Sequence, residues 1–176
     1  MIRRERQRGS ALVEFAFTGI PLIFVWISIV QMSLGMWHYH TLQYATKLAG
    51  EYASFHGANC VANGCGKQIK DIATVLATNA IGIPPSAVQC TFTAVKSDHT
   101  TTCGTPVSCE LDTCESNTTA WPPSGCNAVA PSGNDITILT EFQFNPAMGM
   151  VGPGAGGVIK FSSAWFPGFT HQMILF

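Results

Sequence analysis

The sequence predicts an α+β protein, a long N-terminal helix leading into a small antiparallel sheet. Three observations carry that prediction. Leu12 to Trp37 is apolar apart from Glu14, Thr18, Ser28, Gln31 and Ser33, a run far too long for a strand. Three later segments, beginning at Val88, Ile136 and Val158, alternate apolar and polar residues with the period of two that places one face of a strand inward. All seven cysteines lie beyond the apolar run, where disulfides can supplement a small core.

The long helix comes first. About 26 helical residues span roughly 39 Å, more than a hydrocarbon core of about 30 Å. A cleaved signal peptide has an apolar segment of roughly 7–15 residues with a small-x-small site after it, and no such site follows here. Four of the nine Lys and Arg residues (Arg3, Arg4, Arg6, Arg8) precede the run, and none occurs again until Lys47. Basic flanks stay cytoplasmic, so Trp37 onward is expected outside, where the cysteines would be oxidised. The resulting organisation is a basic cytoplasmic leader (1–9), a transmembrane helix (10–37), an amphipathic stem helix (38–56) and an extracytoplasmic α+β head (57–176).

Pro21 cannot donate to the carbonyl of Phe17, so a kink is expected there, with Gly19 adding freedom. Trp37, His38, Tyr39 and His40 fall where the helix should leave the lipid, an interface that Trp and Tyr favour. Residues two apart on a helix point about 200° apart, so the two histidines anchor rather than chelate. The helix should continue to about Phe55. Tyr44, Leu48, Tyr52 and Phe55 form one stripe, expected to pack on the head. Lys47 and Glu51 lie four apart on a more polar face.

The head follows in order. Residues 57–66 form a loop that a Cys60–Cys65 disulfide could close. Lys67 to Ala80 reads as a helix with Ile69, Ile72, Ala73 and Leu76 on one face, stopped by Gly82 and Pro84-Pro85. Val88, Cys90, Phe92 and Ala94 alternate as a strand. Residues 97–133 are rich in Thr, Ser, Pro, Gly and Cys and are expected to be a stapled surface excursion carrying Cys103, Cys109, Cys114 and Cys126. Ile136 to Phe144 is a strand with Ile136, Ile138, Phe142 and Phe144 inward. Val158 to Phe166 is another, with Ile159, Phe161, Ser163 and Trp165 on one face. Pro167-Gly168 is expected to turn the chain into a last short strand, Gln172 to Phe176.

Little here points to catalysis. Gly-x-Ser-x-Gly and His-Glu-x-x-His are both absent. Gly152-Pro153-Gly154-Ala155-Gly156-Gly157 precedes a strand pattern, not a helix, so it is a flexible turn rather than a phosphate cradle. The cysteine spacings lack Cys-x-x-Cys, which argues against zinc. A net charge of −1 gives no basic field for nucleic acid. No cofactor, metal, nucleic-acid or small-molecule partner is expected. Seven cysteines allow three disulfides and one spare thiol, and Cys90, on the inner face of a strand, is the best candidate for burial. Asn117-Thr118-Thr119 fits the N-glycosylation pattern.

One carboxylate, Glu14, sits inside the apolar run. At mid-span a charge costs roughly 2.5–3.5 kcal/mol on insertion scales, and less towards the edge, so a chain that keeps one there is expected to hold a partner for it. Cleavage after Gly9 would make Ser10 a new N-terminus with a cationic amine, four residues from Glu14; in an uncut chain Glu14 would instead snorkel to the cytoplasmic headgroups or pair with Arg8.

The segment Arg8-Gly9-Ser10-Ala11-Leu12-Val13-Glu14-Phe15, followed by Pro21 and an Ala-rich exit from Tyr44 to Ala53, resembles the processing site of type IV prepilins. Within that group it resembles the TadE-like family, minor pilin-like proteins of the Flp/Tad (tight adherence) system. Major pilins of that system often carry Tyr after the glutamate, where this chain has Phe15. The resemblance covers about the first 55 residues. It implies cleavage after Gly9 by a prepilin peptidase and residence in a bacterial inner membrane. It also implies packing with other pilin-like subunits and the assembly machinery, and a lollipop of helix and head. A bacterial origin would usually leave the Asn117 signal unused. Two rivals remain: an uncleaved single-pass tether whose cysteine loop is a binding surface, and an extracytoplasmic thiol enzyme using the odd cysteine.

Overall fold

The computed structural model describes residues 3–56, 67–96, 100–122, 134–144 and 164–173, with the backbone alone for 3–10, 164–166 and 169–173. The fold is α+β. Its helices and strands run α1 (Arg3–Phe55), β1 (Lys67–Gln68), α2 (Ile69–Asn79), β2 (Val88–Val95), β3 (Val107–Glu110), α3 (Leu111–Cys114), β4 (Ala120–Trp121), β5 (Asp135–Phe144) and β6 (Ala164–Met173). A 3₁₀ turn at Pro85–Ala87 leads into β2. The chain divides into two compact units, Met1–Met36 and Trp37–Phe176.

The second unit is built on an antiparallel sheet of order β3-β2-β5-β6, with a small β1-β4 pair beside it. In β2 the alternation predicted from sequence holds: Val88, Cys90, Phe92 and Ala94 are buried. In β5 the inward set is Ile136, Ile138, Thr140 and Phe142. Helix α2 buries Ile69, Ile72, Ala73 and Leu76, the predicted face. Its start is held from two sides. The Asp71 carboxylate accepts from the Gln68 N–H at 2.9 Å, and the Ile69 and Lys70 amides donate to the carbonyls of Thr119 and Asn117, each at 3.0 Å. These are first-turn donors that have no partner within the helix itself.

Three expectations are corrected. The first concerns the face of α1 that packs. The buried residues are Leu42, Ala45, Thr46, Ala49 and Ala53; of the predicted stripe Tyr52 does pack against this core and Leu48 is half-buried, while Tyr44 and Phe55 are 60% and 52% exposed. At about 100° per residue the aromatic stripe lies roughly 120° round from the buried face. Small residues win because α1 lies close against the sheet, and alanines admit that approach where aromatic rings would hold it off.

The second concerns Pro167-Gly168, which does not turn the chain. Both residues lie inside β6, which pairs with β5 without a break from Phe144↔Ala164 to Asp135↔Met173. Strand β6 is last in the sheet order, and a proline is tolerated in an edge strand because its missing N–H is not needed by the ladder. The final strand therefore starts at Ala164 and runs through both residues. Residues 158–163 and 174–176 of the predicted strands lie outside the described residues.

The third concerns 97–133, which is more than a loop. It contributes β3, paired with β2 from Gln89↔Glu110 to Phe92↔Val107, then α3 and β4. The Thr91 and Ser108 hydroxyls meet at 2.9 Å across that ladder.

Where α1 crosses the sheet, a polar cluster sits within the apolar core. The Thr46 hydroxyl lies 2.8 Å from that of Thr140, and Thr140 Oγ1 also donates to the Gly168 carbonyl at 3.1 Å. A Cβ on Gly168 would fall 2.3 Å from Thr140 Oγ1 and 2.8 Å from Thr46 Oγ1. Glycine there lets strand and helix close on each other. Beside it, Gln43 Nε2 donates to the Pro167 carbonyl at 2.7 Å.

Candidate assembly helix

The residues singled out from sequence fall on the first half of α1. Gly9 and Ser10 are helical in backbone. Glu14 follows one turn later and is exposed. The Thr18 hydroxyl donates to the Glu14 carbonyl. The Phe15 ring lies against Gly19, where a Cβ would come within 3.2 Å of it. Pro21 lies inside α1, with helix on both sides of it.

Around these, the helix surface is almost wholly apolar and uncovered by the chain itself. Leu12 is 72% exposed, Phe17 79% and Met32 77%. Among the described residues one helix is long and apolar enough to cross a membrane, and none of its most apolar stretch is buried. An exposed apolar surface of this extent needs lipid or another protein against it. The hydroxyls within the run are satisfied locally: Ser28 donates to the Phe24 carbonyl at 2.8 Å and Ser33 to that of Ile29 at 2.9 Å. Such back-bonding suits a side chain that has no water to turn to. A carboxylate has no proton to donate in the same way, so Glu14 differs in kind from its polar neighbours.

At the start of the second unit, Trp37 packs against the turn after α2. Gly82 has φ +80°, and a Cβ there would lie 2.3 Å from Trp37 Cη2, so glycine is required both by backbone and by space. The His38 ring stands edge-on to Phe142, centroids 5.5 Å apart. Lys47 Nζ is 3.8 Å from Glu51 Oε1, both partly exposed, a pair of little energetic weight. Among the described residues no group of three or more His, Cys, Asp or Glu is placed to hold a metal ion.

The cysteines sort by environment. Cys109 and Cys114 form a disulfide with Cα atoms 5.6 Å apart, joining β3 to the end of α3. Cys103 is also disulfide-bonded. Cys90 is a free, buried thiol, and burial pushes its pKa up to about 12, the opposite of what a nucleophilic thiol needs. Cys60, Cys65 and Cys126, and with them the Cys60–Cys65 bond expected from sequence, lie outside the described residues. The Thr46–Thr140–Gly168 cluster was not anticipated, although a lone Thr140 in an otherwise apolar inward set is a signal for a buried polar contact.

Residues 9–49 match the family model of TadE-like protein. Over that segment, under a quarter of its length, the chain is similar to TadE-like proteins. The match opens on Gly9, takes in Ser10, Glu14, Phe15 and Pro21, and ends at Ala49, on the buried face of the stem. No curated protein and no solved structure matches the chain. The TadE-like match thus bears on the helix, and the head stands on its own geometry.

Proposed function

We propose that this chain is a structural, pilin-like subunit of a Tad-type pilus, anchored in the bacterial inner membrane by the first half of α1 with its head outside. A prepilin peptidase cuts it after Gly9. The new Ser10 amine then faces the Glu14 carboxylate of its own chain or of a neighbour. Other pilin-like subunits cover the exposed apolar surface of α1, with Pro21 the point at which the helix bends as it packs. The role calls on no catalytic residue and no cofactor.

One observation carries this reading: an exposed carboxylate, Glu14, on an uncovered apolar helix, one turn after the bond at which the TadE-like match begins. A charge in that setting is relieved by a countercharge or by reaching headgroups and water, and inside a helix bundle the countercharge is the route open to it. The amine released at Ser10 is the nearest one the chain can make, and in a low-dielectric bundle their pairing would set helix register. The test is Glu14→Ala. Cleavage should persist, since the cut bond is untouched, while incorporation into filaments falls. Removing one partner of a buried charge pair costs about 3–5 kcal/mol, enough to abolish incorporation at ordinary subunit concentrations. Wild-type filament yield from Glu14→Ala would defeat the pairing.

A further inference from the structure

The segment between α3 and β4 reads Glu115-Ser116-Asn117-Thr118-Thr119. Its backbone is held on both sides. The Asn117 amide donates to the Cys114 carbonyl at 3.0 Å, and the Asn117 carbonyl accepts from Lys70 N–H at 3.0 Å. The Asn117 side chain is oriented as well: the Thr119 N–H donates to its Oδ1 at 2.9 Å, an Asx-type turn. Glu115, Ser116, Thr118 and Thr119 are all exposed, and Asn117 is partly exposed. The acceptor asparagine and the threonine two places on therefore lie together on a fixed surface turn.

We infer that Asn117 is an N-glycosylation site, modified outside the membrane by a transferase that uses a polyprenyl-diphosphate-linked oligosaccharide. Since Oδ1 is held by the Thr119 amide, transfer takes place at Nδ2. A bond forms from Nδ2 to the anomeric carbon of the first sugar. The anomeric C–O bond breaks, its electron pair leaves on the polyprenyl diphosphate, and one amide proton passes to a base of the transferase. No electron donor or acceptor is needed. The signal Asn-x-Thr is short, and its weight here comes from the exposure and the fixed turn. The inference rests on the extracytoplasmic placement of the head under "Proposed function", and it reads as used a signal that a bacterial origin usually leaves unused, on the strength of the exposed turn.

The test is peptide mass spectrometry on the full chain purified in detergent from its native membranes, digested without reduction. The peptide containing Asn117 should carry the mass of the transferred oligosaccharide. Asn117→Gln and Thr119→Ala should each abolish that increment. The same digest reads the Cys109–Cys114 bond and so reports the compartment separately. An intact disulfide with Asn117 at its unmodified mass would overturn the inference and leave the topology standing. Reduced cysteines would overturn both. An increment that survives in Asn117→Gln would place the sugar elsewhere and equally overturn it.

Discussion

Gly168→Ala changes one hydrogen for a methyl group and should destabilise the head markedly. The added Cβ would stand 2.3 Å from Thr140 Oγ1, 2.8 Å from Thr46 Oγ1 and 3.3 Å from Leu42 Cγ. Ordinary contacts begin near 3.4 Å, so the threonine hydroxyl must yield by about an ångström, and the backbones behind it with it. Overpacking of this kind costs about 1–3 kcal/mol. Pushing Thr140 away also weakens its bonds to Thr46 at 2.8 Å and to the Gly168 carbonyl at 3.1 Å, each worth about 0.5–1.5 kcal/mol net. Against this, alanine lowers the entropy of the unfolded chain, a gain of about 0.4–1 kcal/mol. The steric and hydrogen-bond losses win, leaving a net cost of about 2–4 kcal/mol. Denaturant unfolding of the full chain in detergent, followed by Trp fluorescence, reads this as a lower midpoint at unchanged slope. Thr140→Ala removes the hydroxyl that the new methyl strikes, so the double variant should cost less than the sum of the singles. A Gly168→Ala protein with the wild-type midpoint would refute the close approach of β6 to α1.

Other outcomes follow from the cysteines. Cys90 should resist alkylation in the folded protein and become labelled on unfolding without reduction, as peptide mapping of that residue will show; a Cys90 thiol that reacts freely at pH 8 in the folded protein would contradict its burial. Its folded pKa, near 12 against an ordinary 9.0, keeps a proton that the unfolded chain gives up. Stability is therefore full below pH 9 and falls as pH rises towards 12, by about 1.4 kcal/mol per unit. Cys90→Ala should flatten that slope, as unfolding midpoints measured across the range will show. Replacing both Cys109 and Cys114 by Ala opens a short loop and should cost about 2 kcal/mol on the chain-entropy scale, read as a lower unfolding midpoint.

Elements whose pattern is local were legible. The alternation in Val88–Val95 and the apolar face of Ile69–Asn79 needed only the periods of strand and helix. Positions that depend on a distant partner were not. The stem of α1 offered two faces, aromatic and small, and only the presence of a close-lying sheet decides for Ala45, Ala49 and Ala53. Pro167-Gly168 has the composition of a turn, and its place in an edge strand follows from β5 on one side and from Gln43, Thr46 and Thr140 around it. Strand β3 was hidden because its residues, Val107 to Glu110, are few and mostly polar, and it takes its form from pairing with β2. In the first half of α1 the order reverses. Glu14 stands out in sequence by charge alone, and the structure adds that the apolar surface around it is uncovered.

The state of the mature N-terminus tests the proposed function most directly. Intact-mass and N-terminal peptide measurement on protein taken from native membranes should find a chain beginning at Ser10. A chain that still begins at Met1 would leave Glu14 without its amine and contradict the account.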